Sequence, residues 1–289
     1  MRKIQIYTII VWLGMAALLA ACSGATTLNR GFSLSAEPLT GKIIWHDLMT
    51  DDVAKAQAFY GALLGWSFEQ VQRPNGAPYV LARAGQRFVA GMVEVADPGD
   101  GTEYSRWLGY LSVTNVDSAV RVAREMGGSV VLEPRQVGKI GQAAVILDPQ
   151  GAPIGLLHSD MGDPDDQADG SPGTVGWNEL LADDAASASA FYARLAGYEI
   201  RDIQRRNGVY YMLNDGIRDR AGVFRNPVED TDPAWLTHFV VEDIAAATAR
   251  VAALGGRVLL GPSPEFREGR VALIMDPTGA VFMLQASER

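Results

Sequence analysis

Side chains able to do chemistry are sparse in this 289-residue chain, so their types and spacing carry the information. It has three histidines, His46, His158 and His238, and one cysteine, Cys22. A single thiol permits no intrachain disulfide. No serine, histidine and acid stand in a readable nucleophilic arrangement. Two pairs are more informative. Trp45 and Asp47 return 132 positions later as Trp177 and Glu179, each an indole and a carboxylate two residues apart, which share one face of a strand. Such a pair suits stacking and charge pairing against a small organic molecule.

The offset belongs to a duplication. Trp45, Asp51, Asp52, Ala58, Phe59, Tyr60, Leu63 and Gly65 of residues 43–66 recur, identical, in residues 175–198. Farther on, Trp107, Gly127-Gly128 and Asp148-Pro149-x-Gly151 return as Trp235, Gly255-Gly256 and Asp276-Pro277-x-Gly279 at an offset of 128. A self-match of this kind fixes the domain plan before any local reading. Within the first copy, a strand over 42–50 leads through the capping oxygens of Thr50, Asp51 and Asp52 into a helix closed by Gly65. Strands near 66–72, 78–83 and 87–95 follow. A second strand from Trp107 to Val113, a helix capped by Asn115 with Ala119, Val120, Ala123 and Met126 on one face, and three more strands to His158 repeat that order. The expectation is an α+β protein of two tandem modules, 42–158 and 174–287, each of two βαβββ units.

The flanks read differently. Arg2-Lys3, an apolar run from Ile9 to Ala21 and Leu19-Ala20-Ala21-Cys22 form the pattern of a bacterial lipoprotein signal over residues 1–22. Cys22 would be acylated and anchor the protein on the cell envelope, in a Gram-negative host on the periplasmic side of the outer membrane. Residues 23–41 read as a tether. Residues 159–173 carry five Asp and no base and read as a solvated acidic hinge; their Asp163-x-Asp165-x-Gln167-x-Asp169 spacing lacks the glycine and bidentate Glu of a calcium loop. A net charge of −9 argues against nucleic acid as a partner.

Tandem βαβββ units, the Phe-Tyr-x-x-x-x-Gly segments (Phe59 to Gly65, Phe191 to Gly197) and the terminal Asp-Pro-x-Gly turns resemble the glyoxalase/bleomycin-resistance/extradiol-dioxygenase (vicinal oxygen chelate) superfamily. That resemblance implies that each module curves into a half-open barrel, its concave face the site and its helices on the outer face. It also implies metal ligands on inward-facing positions. Here those places hold Trp45, Gly91, Leu108 and Gly155, then Trp177, Gly222, Leu236 and Met283, none of which donates to a divalent metal. No metal or other cofactor is therefore expected. Strand alternation from these anchors makes the pocket lining Trp45, Asp47, Tyr110, Trp177, Glu179 and His238, and turns Ile44, His46 and Leu48 toward the helix. Asp47 and Glu179 have a second reading, as acceptors for a Tyr or Arg of a neighbouring strand. The preferred function is an envelope lipoprotein that binds a flat or cationic small molecule without metal. The alternative is a lyase, isomerase or hydrolase in which His238 is the general base, partnered by Glu179 or Asp47.

Overall fold

A computed structural model describes residues 34–287, apart from residues 36, 74–75, 97–104, 167–169 and 228–230. The lipoprotein signal, Cys22 and the first part of the tether lie outside the described residues. Unit one runs β1 (Ile43–Thr50), α1 (Val53–Leu64), β2 (Ser67–Gln72), β3 (Pro78–Ala84) and β4 (Arg87–Glu94). Unit two runs β5 (Arg106–Ser112), α2 (Val116–Glu125), β6 (Ser129–Val137), β7 (Gly141–Leu147) and β8 (Pro153–Ser159). The second module repeats this as β9 (Val175–Ala182), α3 (Ala185–Ala196), β10 (Glu199–Arg205), β11 (Gly208–Asn214) and β12 (Asp219–Arg225), then β13 (Ala234–Val241), α4 (Ile244–Arg250), β14 (Arg257–Leu260), β15 (Val271–Met275) and β16 (Val281–Ala286).

Each helix starts where a side chain can satisfy an unpaired N–H. Asp52, Asn115, Asp184 and Asp243 accept from the backbone three residues on, at 2.8, 2.8, 3.0 and 2.9 Å. A cap of this kind contributes about 1 kcal/mol. Gly65 and Gly197 end α1 and α3 with φ of 72° and 76°, a conformation that only glycine adopts without strain. Each helix carries the chain to the far edge of a sheet, from which a meander returns to lie parallel to the starting strand. The outcome is two eight-stranded sheets, ordered β2-β3-β4-β1-β5-β8-β7-β6 and β10-β11-β12-β9-β13-β16-β15-β14. No closed barrel forms. Among the described residues no helix is long and apolar enough to cross a membrane.

The helices lie on the convex faces, and those faces meet. One apolar core joins α2 and its strands to α3, Leu180 and Leu213; another joins α1, Leu48 and Met92 to Phe239, Phe282 and α4. The residues that betrayed the duplication are the ones that lock this joint. Trp107 Nε1 donates to Tyr60 OH at 2.9 Å, and Tyr60 OH donates to Asp276 of the other module at 2.9 Å. The mirror set runs from Trp235 through Tyr192 to Asp148, at 2.8 and 3.2 Å. Gly256 sits under the ring of Phe59 and Gly128 under that of Phe191, so a β-carbon at Gly256 would stand 2.9 Å from Phe59. Replacing Tyr60 or Tyr192 by Phe strands a buried indole N–H and removes a donor from a buried carboxylate. Each is expected to cost about 1–3 kcal/mol, equal within error for the two, by urea unfolding.

Two expectations about the flanks need correction. The segment after β8 is solvated only in part: Asp160 and Met161 are exposed, but Asp163 is fully buried and accepts from Leu39 N–H and Ser112 Oγ, both at 2.6 Å. Gln167 and Asp169 of the calcium-like spacing lie outside the described residues. The tether is also fixed once it is described, since Leu34 pairs with Pro164 and Gly41 N–H donates to Ser112 O at 2.9 Å. Charge counts read a run of Asp as solvated; here a backbone N–H and a serine hydroxyl supply donors to one of them.

Candidate functional site

On the concave face of module one, register brings Asp47 level with Gly91 and Leu108, and Trp45 level with Tyr110, which pairs in turn with Gly155. The three expected pocket residues, Trp45, Asp47 and Tyr110, therefore do converge. They also close on one another. Asp47 Oδ1 accepts from Trp45 Nε1 at 2.9 Å and from Tyr79 OH at 2.7 Å, while Oδ2 accepts from Tyr110 OH at 3.1 Å. All four side chains are at most 4% exposed. Burial pushes the Asp47 carboxyl above its usual range, and the three donors pull it back. The second reading of this carboxylate, as an acceptor for neighbouring tyrosines, is the one that holds. Ile44 departs from expectation: a bulge between Ile43 and Trp45 puts Ile44 on the concave side with Trp45, and Ile43 on the helix side. His46 stays on the convex side and binds Asn178 Oδ1 of the other module through Nε2 at 2.7 Å. His158 is a boundary residue, its Nδ1 on Val113 O at 3.2 Å.

Module two repeats the scaffold and changes the contents. Glu179 is level with Gly222 and Leu236, and Trp177 is level with His238, which pairs with Met283. Trp177 Nε1 donates to Tyr210 OH at 2.9 Å, as Trp45 does to Tyr79 at 3.0 Å. Glu179, only 2% exposed, is ion-paired with Arg267, which also donates to Tyr210 OH at 2.6 Å. Arg267 comes from the β14–β15 loop, where it and Glu268 hold φ of 47° and 56°. Two successive non-glycine residues in that region cost roughly 1–2 kcal/mol each. The corresponding loop of module one contributes the buried Ile140 instead.

His238 is fully buried, its Nδ1 faces Gln285 Oε1 at 3.2 Å, and Nε2 has no partner. With Oε1 as acceptor, Nδ1 carries the proton and Nε2 presents a lone pair. Burial lowers its pKa to about 4, with Glu179 and Gln285 opposing and Arg267 assisting, so the ring is neutral near pH 7. Trp177, half-buried, sits beside it. Asp47 belongs to the module-one network, so of the two proposed partners for His238 only Glu179 shares its face, and Arg267 already engages that carboxylate. Among the described residues no three His, Cys, Asp or Glu are grouped to hold a metal.

Sequence reasoning missed Tyr79, Tyr210 and Arg267. The two tyrosines were findable, because Tyr79 and Gly91 recur 131 positions later as Tyr210 and Gly222. Arg267 gave no such signal, having no repeated partner and lying in a loop.

Comparison with known proteins places this architecture. A profile of the glyoxalase/bleomycin resistance protein/dioxygenase superfamily matches residues 42–156, and one of a glyoxalase-like domain matches residues 178–285. CFP32 of Mycobacterium bovis, a candidate glyoxylase, is 31% identical over 240 residues, 82% of this chain and 92% of that protein. The anthracycline biosynthesis protein DauV of Streptomyces sp. (strain C5) is 29% identical over 263 residues, 84% of this chain and 92% of its own length. Among solved structures, the Mn(II)-bound glyoxalase from Novosphingobium aromaticivorans superposes with a TM-score of 0.57 at 16% identity, covering 86% of this chain and 83% of that one. The 2,2',3-trihydroxybiphenyl 1,2-dioxygenase of Sphingomonas wittichii strain RW1 gives 0.56 at 13%, covering 86% and 91%.

Proposed function

The chain belongs to the glyoxalase/bleomycin resistance protein/dioxygenase superfamily, and within it we propose a metal-free binding protein, lipid-anchored on the envelope through Cys22, whose second module holds a small planar organic molecule. The observation that carries this reading is the unpartnered Nε2 of His238, a buried acceptor beside the half-buried indole of Trp177. An unmet buried acceptor costs free energy, and a ligand hydroxyl or N–H would satisfy it. Arg267, with 31% of its side chain exposed, keeps further N–H donors for a ligand oxygen. A cationic ligand fits less well, because Asp47 already has three donors and Glu179 is neutralised by Arg267. The relation to a protein named for anthracycline biosynthesis supports a planar, oxygen-bearing ligand.

The test is a thermal-shift panel on the full chain in non-ionic detergent, with catechols, hydroxyquinones, anthracyclines and divalent metals. At least one hydroxylated planar compound is expected to raise the Tm, and His238→Ala is expected to weaken its binding by roughly tenfold or more, the value of a buried hydrogen bond. A large shift with a divalent metal and none with any organic compound would sink the proposal. The acid–base enzyme reading keeps one observation in its favour, a neutral imidazole with an open lone pair. Turnover of a bound compound that disappears in a folded His238→Ala chain would select it.

A further inference from the structure

Eight large apolar side chains are exposed among the described residues, and Ile217 stands apart from the rest at 85%, the next being Leu259 at 44%. It occupies the tip of the β11–β12 turn, a place where glycine and polar residues are usual. The turn is firmly built. Asp215 Oδ1 accepts from the N–H groups of Ile217 and Arg218 at 2.9 and 2.8 Å, and Asp215 N–H donates to Arg218 O at 3.0 Å. The repeat sharpens the point. Gly85-Gln86-Arg87 of module one returns as Gly216-Ile217-Arg218 at an offset of 131, so one copy of this turn carries an exposed glutamine where the other carries isoleucine.

Two more of the eight lie where the N-terminal part of the chain arrives. Leu34 pairs with Pro164, and a β-carbon on Gly162 would stand 3.6 Å from that of Leu34, which brings the exposed Met161 beside it. The turn that carries Ile217 is joined to the same segment, because Arg218 and Arg220 are both ion-paired with Asp166, at 3.5 and 2.5 Å. Leu34, Met161 and Ile217 thus border one stretch, residues 161–166. Residues 23–33 are all that separate Leu34 from Cys22. A chain of that length spans at most ~40 Å. Acylation of Cys22 would therefore keep this side of the molecule, rather than the far edges of the sheets, next to the bilayer.

We propose that the side bearing Leu34, Met161 and Ile217 docks on the phospholipid surface that holds the Cys22 anchor, with Ile217 entering the boundary between headgroups and acyl chains. The proposal rests on the lipid-anchored reading and is indifferent to what the His238 pocket binds. Apolar area placed in that boundary adds to the hold of an acyl chain. Docking is apolar in kind: Lys42, Arg218 and Arg220 already have Asp166 as partner, and the net charge is −9, so anionic lipid is not what attracts this side. The anchor alone leaves the modules free to tumble at the end of residues 23–33; the docked side gives them one orientation.

The test uses the full acylated chain in phosphatidylcholine vesicles that contain nitroxide-bearing lipid as a quencher. A fluorophore is attached at Met161→Cys, at Ile217→Cys, or at Leu259→Cys, an exposed control on β14 at the other edge of that sheet; acylated Cys22 offers the label no thiol. Labels at residues 161 and 217 are expected to be quenched several times more strongly than the label at 259. Ile217→Gln, the residue module one uses at this turn, is expected to lower the docked-to-undocked ratio read from the label at 161 by about tenfold. Added phosphatidylglycerol or salt leaves that ratio unchanged. In a chain that floats with the vesicles, quenching at 161 and 217 no stronger than at 259 overturns the proposal, as does an Ile217→Gln chain quenched like the wild type. A chain that does not float and shows no acyl mass on Cys22 removes the anchor itself, a separate failure that takes this proposal with it. Dehydration of the label at 217 that grows with protein concentration in detergent, without quenching by lipid, gives the surface to a second copy of the chain and overturns it too.

Discussion

Between pH 7 and pH 4 the folded chain is expected to lose about 3 kcal/mol at each of two histidines. His46 and His238 are buried at 3% and 0% exposure, and burial lowers both pKa values to about 4. In the unfolded chain each returns to the usual 6.5 or so. As pH falls below that value the unfolded chain takes up protons that the folded chain refuses until pH 4, so acid favours unfolding over that window. The penalty is absent above pH 6.5 and complete below pH 4. The buried carboxyls of Asp47, Asp148 and Asp276 work the other way, since burial raises their folded pKa values and acid relieves them. A difference measurement removes their contribution. Urea unfolding of wild type and of a His46→Gln/His238→Gln chain, at intervals from pH 7 to pH 4, should show the wild type falling relative to the variant by several kcal/mol. Glutamine at residue 46 can still donate to Asn178. Parallel stability curves would mean that the two rings are already charged or already wet in the folded protein.

How much of this could be read from the residues depends on what each residue is for. The duplication displayed Phe59-Tyr60, Trp107, Gly127-Gly128 and Asp148 so clearly because they form the inter-module joint, where a pseudo-twofold contact uses every group twice. The fold class and the strand order of each unit followed from those anchors and from strand alternation. The convergence of Trp45, Asp47 and Tyr110 followed from the inward face that the resemblance supplied. What alternation could not reveal was occupancy. A list of inward residues does not say whether they bind one another or leave room, and in module one Tyr79 arrives from β3 to finish a closed network around Asp47. Nor could alternation foresee the bulge at Ile43–Trp45, which moves Ile44 to the other face. Arg267 was beyond reach for a different reason. Its role rests on two positive φ angles in a loop, a conformation with no compositional mark when glycine is not used.

The second large effect concerns the places where the superfamily resemblance leads one to expect metal ligands. A β-carbon at Gly91 would lie 1.8 Å from Tyr79 OH and 2.4 Å from Asp47 Oδ1; at Gly222 it would lie 1.7 Å from Tyr210 OH, and at Gly155 2.3 Å from the ring of Tyr110. Three of the eight places are thus glycines over which a tyrosine lies. The volume a ligand side chain would need is filled by a phenol bound into the carboxylate network, or by a ring packed on the backbone. The fourth rung is the exception: opposite Trp177 stand His238 and Met283, not a tyrosine and a glycine. That substitution is what leaves the unmet acceptor His238 Nε2 beside Trp177 in module two. Gly91→Ala and Gly222→Ala are therefore expected to cost about 3 kcal/mol or more, since one methyl displaces a buried phenol from its partners. In a double-mutant cycle, Gly91→Ala combined with Tyr79→Ala should lose less than the sum of the two singles, by roughly 1–3 kcal/mol. Additive losses would mean that the tyrosine can move aside freely, and the concave face of module one would then be open to a ligand after all.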